Sequence, residues 1–155
     1  MSDSTSEKAA RGRAIGLDVG TKTIGVAISD AMGWLAQPSY TLARRGVKKD
    51  VAALAVTCEE REVRTLIVGL PLELDGSEAR PARLARQIGE ALAELTGLPL
   101  IYIDERYSSV EAERRLIEAD VSRARRKEVI DQQAAVIILQ SWLDHGDWSQ
   151  IAPKA

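Results

Sequence analysis

The hydrophobic period of this chain switches cleanly along its length, and the order of the switches restricts the fold more than any other property of the sequence. Arg13 to Val19 and Thr23 to Ser29 read as two apolar strands joined by a turn at Gly20, and Pro38 to Leu42 reads as a third strand. Val47, Val51, Leu54 and Cys58 then recur at helical spacing. Thr65 to Leu70 is a continuous apolar run ended by Pro71, the pattern of a strand covered on both faces. Leu84, Ile88, Ala91, Leu92 and Leu95 mark a second helix, stopped by Gly97 and Pro99, and Leu100 to Ile103 is a fifth strand. Ser108 followed by Glu111 has capping-box spacing and starts a third helix reaching about Ala119. Ile130 to Leu143 is a last helix, apolar nearly all round and therefore expected to be buried against the sheet. Strands separated by helices are joined by right-handed crossovers and lie parallel. The pattern predicts an α/β chain: a mixed five-stranded sheet, made of a three-strand meander plus two parallel strands, with helices on both faces.

A length of 155 residues with 45% apolar content fits one domain, and because there is no Phe its core is filled by Ala, Val, Leu and Ile. The expected organisation is a flexible tail over 1–12, one domain over 13–145 and a C-terminal tail over 146–155. A single cysteine, Cys58, rules out an internal disulfide and a cysteine metal cluster, and its place on the apolar side of a helical pattern makes it core filler. The first dozen residues lack the apolar stretch of a signal peptide and no later run is long enough to span a membrane, so a cytoplasmic protein is expected.

One residue of the first strand does not belong there. Asp18 interrupts a run otherwise apolar on both faces, and burying an unpaired carboxylate costs several kcal/mol. Taken alone, it could simply accept hydrogen bonds from its own turn. Two further segments bring acids to the boundary of the same sheet. Asp104 and Glu105 leave the end of the last strand, where ligands gather in open α/β sheets, and Asp131 opens the last helix, where an acid also complements the helix dipole. Clustered carboxylates repel one another, and the usual compensation is a hard divalent cation with oxygen ligands, Mg²⁺ or Mn²⁺. The single histidine, His145, lies after the last helix and is assigned to the surface. A formal net charge of −2 does not advertise nucleic-acid binding, but Arg123, Arg125, Arg126 and Lys127 crowd into five residues, and Arg44, Arg45, Lys48 and Lys49 form a second cluster. Each is either a binding patch or a solvated surface; the first is expected to be a mobile stretch.

GLDVGTKTIGVAISD at 16–30, IVGLPLELDGSE at 67–78, IDERYSS at 103–109 and DQQAAVIILQSWLD at 131–144 together resemble the YqgF/RuvX family of Holliday junction resolvases and pre-16S rRNA nucleases. The resemblance spans residues 13 to 145. It implies a ribonuclease-H-like fold, with Asp18, Glu105 and Asp131 as the catalytic carboxylates and Asp18, Asp104, Glu105 and Asp131 as candidate metal ligands. The related RuvC resolvases carry an acid at the end of the fourth strand, but Leu66 to Leu70 has none, and the acid has moved to the neighbouring strand as either Asp104 or Glu105. Adjacent strand residues face opposite ways, so both serve one metal only if the strand has already ended. Tyr107, Ser108 and Ser109 are mild departures from the family pattern.

The implied chemistry is metal-assisted hydrolysis of a phosphodiester in structured nucleic acid, precursor rRNA or branched DNA, by a monomer or homodimer without a membrane partner. Lys22 and Arg106, and the basic residues Arg123, Arg125, Arg126 and Lys127, are the candidate substrate contacts; Lys22 and Arg106 are also compatible with plain surface roles. Gly20 and Gly25 read as turn and packing glycines, or as sites of close approach to a phosphate backbone. Two other classes compete. An actin-like ATPase would use a similar Asp-x-Gly-Thr turn, but needs a second lobe that 155 residues cannot hold. A non-catalytic RNA-binding ribosome-assembly factor would keep the acids only as structure.

Overall fold

The computed structural model describes residues 12–107 and 123–145, the side chains of the second stretch from Ile130 to Asp144. The elements run β1 (Arg13–Val19), β2 (Thr23–Ser29), β3 (Ala36–Ala43), α1 (Val47–Glu60), β4 (Val63–Leu70), α2 (Arg80–Thr96), β5 (Leu100–Asp104), a 3₁₀ turn (Glu105–Tyr107) and α3 (Arg123–His145). One sheet has the order β3-β2-β1-β4-β5. The β1–β2 and β2–β3 pairs are antiparallel, and β4 is parallel to both β1 and β5. The expected meander with two added parallel strands is therefore present, with β1 at the centre. The expected helix from Ser108 to Ala119 and both tails, apart from Gly12, lie outside the described residues.

The alternation of each strand sorts side chains into two cores. Ile15, Leu17, Val19, Val26, Leu66, Val68 and Leu70 face one way and pack with Val51, Leu54 and Cys58 of α1 and Ala85, Ile88 and Leu92 of α2. Ala14, Ala27, Ile67 and Ile103 face the other way and pack under Ala134, Ala135, Ile138, Leu139 and Leu143 of α3. The second face is lined by small residues, which brings α3 close to the sheet. A Cβ on Gly16 would stand 2.7 Å from Leu139 Cβ and 2.9 Å from the Ala135 carbonyl oxygen. Cys58 is core filler, as read from its position, and burial pushes its thiol up to about 11.

The last helix begins at Arg123, seven residues before its apolar period is visible. The basic stretch therefore forms the opening turns of a helix, where an irregular loop is expected from its composition. Its polar residues carry no apolar stripe, so hydrophobic period alone could not extend the helix back over them.

The second basic cluster is also partly structural. Arg44 Nε donates to Asp50 Oδ2 at 2.9 Å, its Nη1 donates to the Gly20 carbonyl at 3.1 Å and its backbone N–H to the Lys22 carbonyl at 2.9 Å, which fixes the β1–β2 turn. Asp50 is buried on α1 and also accepts from the Arg45 amide. Burial alone would raise the Asp50 carboxyl; the Arg45 amide and the Arg44 guanidinium outweigh it and hold it below its ordinary value. Asp50→Ala leaves Arg44 buried without its partner and is expected to cost about 3 kcal/mol in denaturant unfolding at neutral pH. Because the folded-state pKa is depressed, the contribution is complete above the unfolded-state value and fades as pH falls through the folded one. The gap between wild type and variant should therefore narrow in acid; a constant gap would mean that the charge of Asp50 plays no part.

Candidate active site

The three expected acids converge at the C-terminal edge of the parallel strands, and the local sequence explains how. Asp18 is near the end of β1, almost completely buried, and its parity with Ala14 and Gly16 places it on the face covered by α3. Its partner across the hairpin is Gly25, and directly opposed residues have their Cβ positions about 5 Å apart. On the other side, Asp18 and Gly69 each follow directly on the last β1–β4 pair, Leu17 with Val68. A row of three residues, Gly25, Asp18 and Gly69, thus crosses three adjacent strands.

Each glycine makes room for another acid. A Cβ on Gly25 would fall inside the van der Waals envelope of the Asp131 carbonyl, so the α3 backbone rests on β2 at this point. Close approach is what this glycine supplies, and the partner is the protein's own helix. Thr23, two residues earlier on the same face of β2, donates its hydroxyl to Asp131 Oδ2 and orients that carboxylate. A Cβ on Gly69 would meet Ile138 and would lie 3.2 Å from Glu105 Oε2. The Glu105 carboxylate therefore occupies the space into which a side chain at this position of the fourth strand would project.

Asp104 takes a different course. Strand β5 ends at Asp104 and Glu105 begins the 3₁₀ turn. Asp104 shares the parity of Tyr102, which packs with the α1/α2 core, whereas Ile103 lies under α3. Asp104 is fully buried, and Arg106 Nη2 donates to its Oδ2 at 2.7 Å, Arg106 Nε reaches both oxygens at 3.1 and 3.2 Å, and the Arg106 amide donates to Oδ1 at 3.0 Å. Both Asp104 oxygens are engaged in bracing the turn that presents Glu105. Arg106 Nη1 also donates to the Leu74 carbonyl at 3.3 Å and ties down the loop after Pro71. Glu78 anchors the far end of that loop by accepting from Arg86 Nε at 2.6 Å, and the Arg86 guanidinium lies 4.7 Å from the centre of the Tyr102 ring.

The result is an open cleft of about 480 Å³ lined by Asp18, Glu105 and Asp131 together with Gly20, Thr21, Pro71, Arg80 and Pro81. Lys22 is exposed at the tip of the β1–β2 turn and is not part of this lining. The side chains of Arg123, Arg125, Arg126 and Lys127 lie outside the described residues. Sequence reasoning missed Thr23 and Arg80. Thr23 has strand parity with Gly25, which could have exposed it; Arg80 follows an irregular loop and carries no such signal. The donor chemistry of the cleft, three carboxylates with no sulfur or imidazole, suits a hard cation. Among the described residues no three His, Cys, Asp or Glu side chains are grouped closely enough, as they stand, to hold a metal ion.

The sheet order and the α3-covered acid row define a ribonuclease-H-like protein. The solved structure of Thermus thermophilus RuvC in complex with a Holliday junction substrate superposes with a TM-score of 0.57 at 12% identity, covering 91% of this chain and 98% of that one. Residues 12–145 match RuvX, described as Holliday junction resolvase, and the chain belongs to that family of nucleases, hydrolases acting on phosphodiester bonds. A relative from Myxococcus xanthus (strain DK1622) is 54% identical over 132 residues, covering 85% of this chain and 87% of the relative. Another, from Syntrophomonas wolfei, is 48% identical over 134 residues, covering 86% and 95%. Both carry the name "Putative pre-16S rRNA nuclease". Among the described residues no helix is long and apolar enough to cross a membrane.

Proposed function

We propose that this chain is a divalent-metal-dependent endonuclease of structured nucleic acid, acting on the 5′ end of pre-16S rRNA and/or on Holliday junctions, with Asp18, Glu105 and Asp131 as its catalytic carboxylates. The observation that carries the reading is the acid row: three separate segments deliver a carboxylate to one cleft, and two glycines exist to let two of them in. Mg²⁺ or Mn²⁺ held there would activate water and neutralise charge on the attacked phosphate and the leaving 3′ oxygen. The chain's own part is placement. Asp18 is fixed by the central strand, Asp131 is oriented by Thr23, and Glu105 is aimed by a turn braced through Asp104 and Arg106. Asp104 is assigned this positioning role, and Glu105 the ligand role. Lys22 and the basic opening of α3 remain assigned to the substrate backbone, as phosphate contacts that carry no sequence preference. The deciding experiment is a cleavage panel of four-way junctions and 16S precursor RNA with each metal; no cleavage of either substrate would overturn the reading.

Metal binding can be tested without activity. A ligand that binds only the folded state stabilises by about 2.7 kcal/mol at a hundredfold excess over its Kd. Mg²⁺ or Mn²⁺ is therefore expected to raise the melting temperature of the wild type by several degrees, and that of the Asp18→Asn, Glu105→Gln double variant far less. Equal shifts in a thermal scan would remove these residues from the metal site.

A further inference from the structure

We propose that Arg80 and Arg83, on the outer side of α2, form the track along which the phosphate backbone of bound nucleic acid runs out of the cleft. The proposal rests on the nuclease reading and assigns the binding surface that the reading needs. Three carboxylates in one cleft repel a polyanion, and a net charge of −2 gives no general attraction to offset them. Binding must therefore come from cations placed where the strand enters or leaves.

Arg80 is the charged residue shared between two depressions of the surface, both of which Leu84 also lines. It lines the cleft together with the three acids, and it also lines an open hollow of about 550 Å³ on α2 with Arg83, Gln87 and Glu90. The two depressions thus adjoin along the first turns of α2, at Arg80 and Leu84. Residues three apart lie on the same side of a helix, and with a rise of about 1.5 Å per residue the span from Arg80 to Gln87 is roughly 10 Å. Helix α2 starts at the cleft end of the sheet, after the loop that follows Pro71, and runs away from it, so the row leads outward from the acids.

The charges of Arg80 and Arg83 are available for this role. Both are exposed, and among the described residues neither takes part in an ion pair; the Arg83 guanidinium makes a long hydrogen bond, 3.5 Å, to the Glu78 carbonyl. Arg86, one turn further on, differs: it is mostly buried, paired with Glu78 and Glu90 and stacked on Tyr102. The helix therefore devotes one arginine to structure and leaves two on the surface, Arg80 at the cleft and Arg83 one turn further out. A guanidinium facing solvent next to a phosphodiester-hydrolysing cleft suits a phosphate oxygen, which it meets with two parallel donors.

The test is fluorescence anisotropy over a salt series, in chelator so that nothing is cleaved, with a single-stranded RNA and a four-way DNA junction as probes. Arg80→Gln, Arg83→Gln should bind roughly tenfold more weakly near 0.1 M salt and lose about 1.4 from the log–log salt slope on the single strand, or about 1.8 on duplex arms. Arg80→Gln alone, which leaves the Arg83 contact to the loop intact, should lose about half as much. Arg61→Gln, Arg64→Gln changes the same charge at the opposite end of β4 and should leave the slope as it is. Unchanged affinity and slope in the α2 variants, with a wild type that binds and cleaves, would overturn the track and leave the nuclease standing. An equal loss in the control pair would overturn it as well, since net charge alone would then explain the effect. A wild type that neither binds nor cleaves would remove both readings.

Discussion

Replacing Asp18 by Asn is expected to reduce cleavage by at least about a thousandfold, on the order of 4 kcal/mol of barrier, while the protein remains folded. The amide is nearly isosteric and keeps the hydrogen-bonding capacity of the position, but it carries no charge for a cation and sits in the middle of the acid row, where no neighbouring acid can replace it. Stability at low metal should hold or rise, because removing one of three adjacent negative charges relieves repulsion in the folded state alone. The informative measurement is a pair: turnover at saturating Mg²⁺ and the unfolding midpoint in chelator. Activity near wild type would sink the assignment, and lost activity together with lost folding would show Asp18 to be structural.

Gly25→Ala should be the most damaging glycine-to-alanine change among the described residues. The added carbon would collide with the Asp131 backbone carbonyl, an atom fixed within a helix and unable to turn aside as the tip of a side chain can. Overpacking usually costs 1–3 kcal/mol, and a backbone obstacle belongs at or beyond the upper end. A loss of about 3 kcal/mol corresponds to a fall of roughly 6–12 °C in melting temperature for a domain of this size. Cleavage should fall further than stability explains, since relief of the clash lifts Asp131 away from Asp18 and from the Thr23 hydroxyl. Thermal scans and turnover measured well below the midpoint separate the two effects; an unaltered midpoint would show that α3 does not rest on β2 here.

The architecture was legible because the strand and helix periods of this chain rarely overlap. Ala14 to Val19 and Thr65 to Leu70 are buried throughout, as continuous apolar runs require, and the order of elements then left few ways to connect them. The ends of elements were less legible. Strand β3 extends two residues before Pro38, because edge pairing with β2 depends on register and tolerates exposed side chains, and α3 extends back over residues with no apolar stripe. The acids could be named from sequence and family resemblance, but which of Asp104 and Glu105 faces the cleft depends on where β5 stops. Strand parity decides that point, and parity can be counted only once the register of Ile103 with Gly69 is known. Thr23 and Arg80 join the site through packing between elements far apart in sequence, which no local pattern encodes.

The acid row carries only one of its charges on its own strands. Asp18 is in place as soon as the hairpin pairs, but Glu105 arrives only when β5 joins the sheet and Asp131 only when α3 docks. The three acids are far apart in sequence and meet only where β1, the turn after β5 and α3 are all in place. Without α3 the sheet would carry only two of the three acids proposed as catalytic. With the proposed acids as the catalytic set, cleavage needs α3 as well as the sheet, and recovery of turnover in a refolding experiment is expected to follow the docking of that helix and not the pairing of the strands alone.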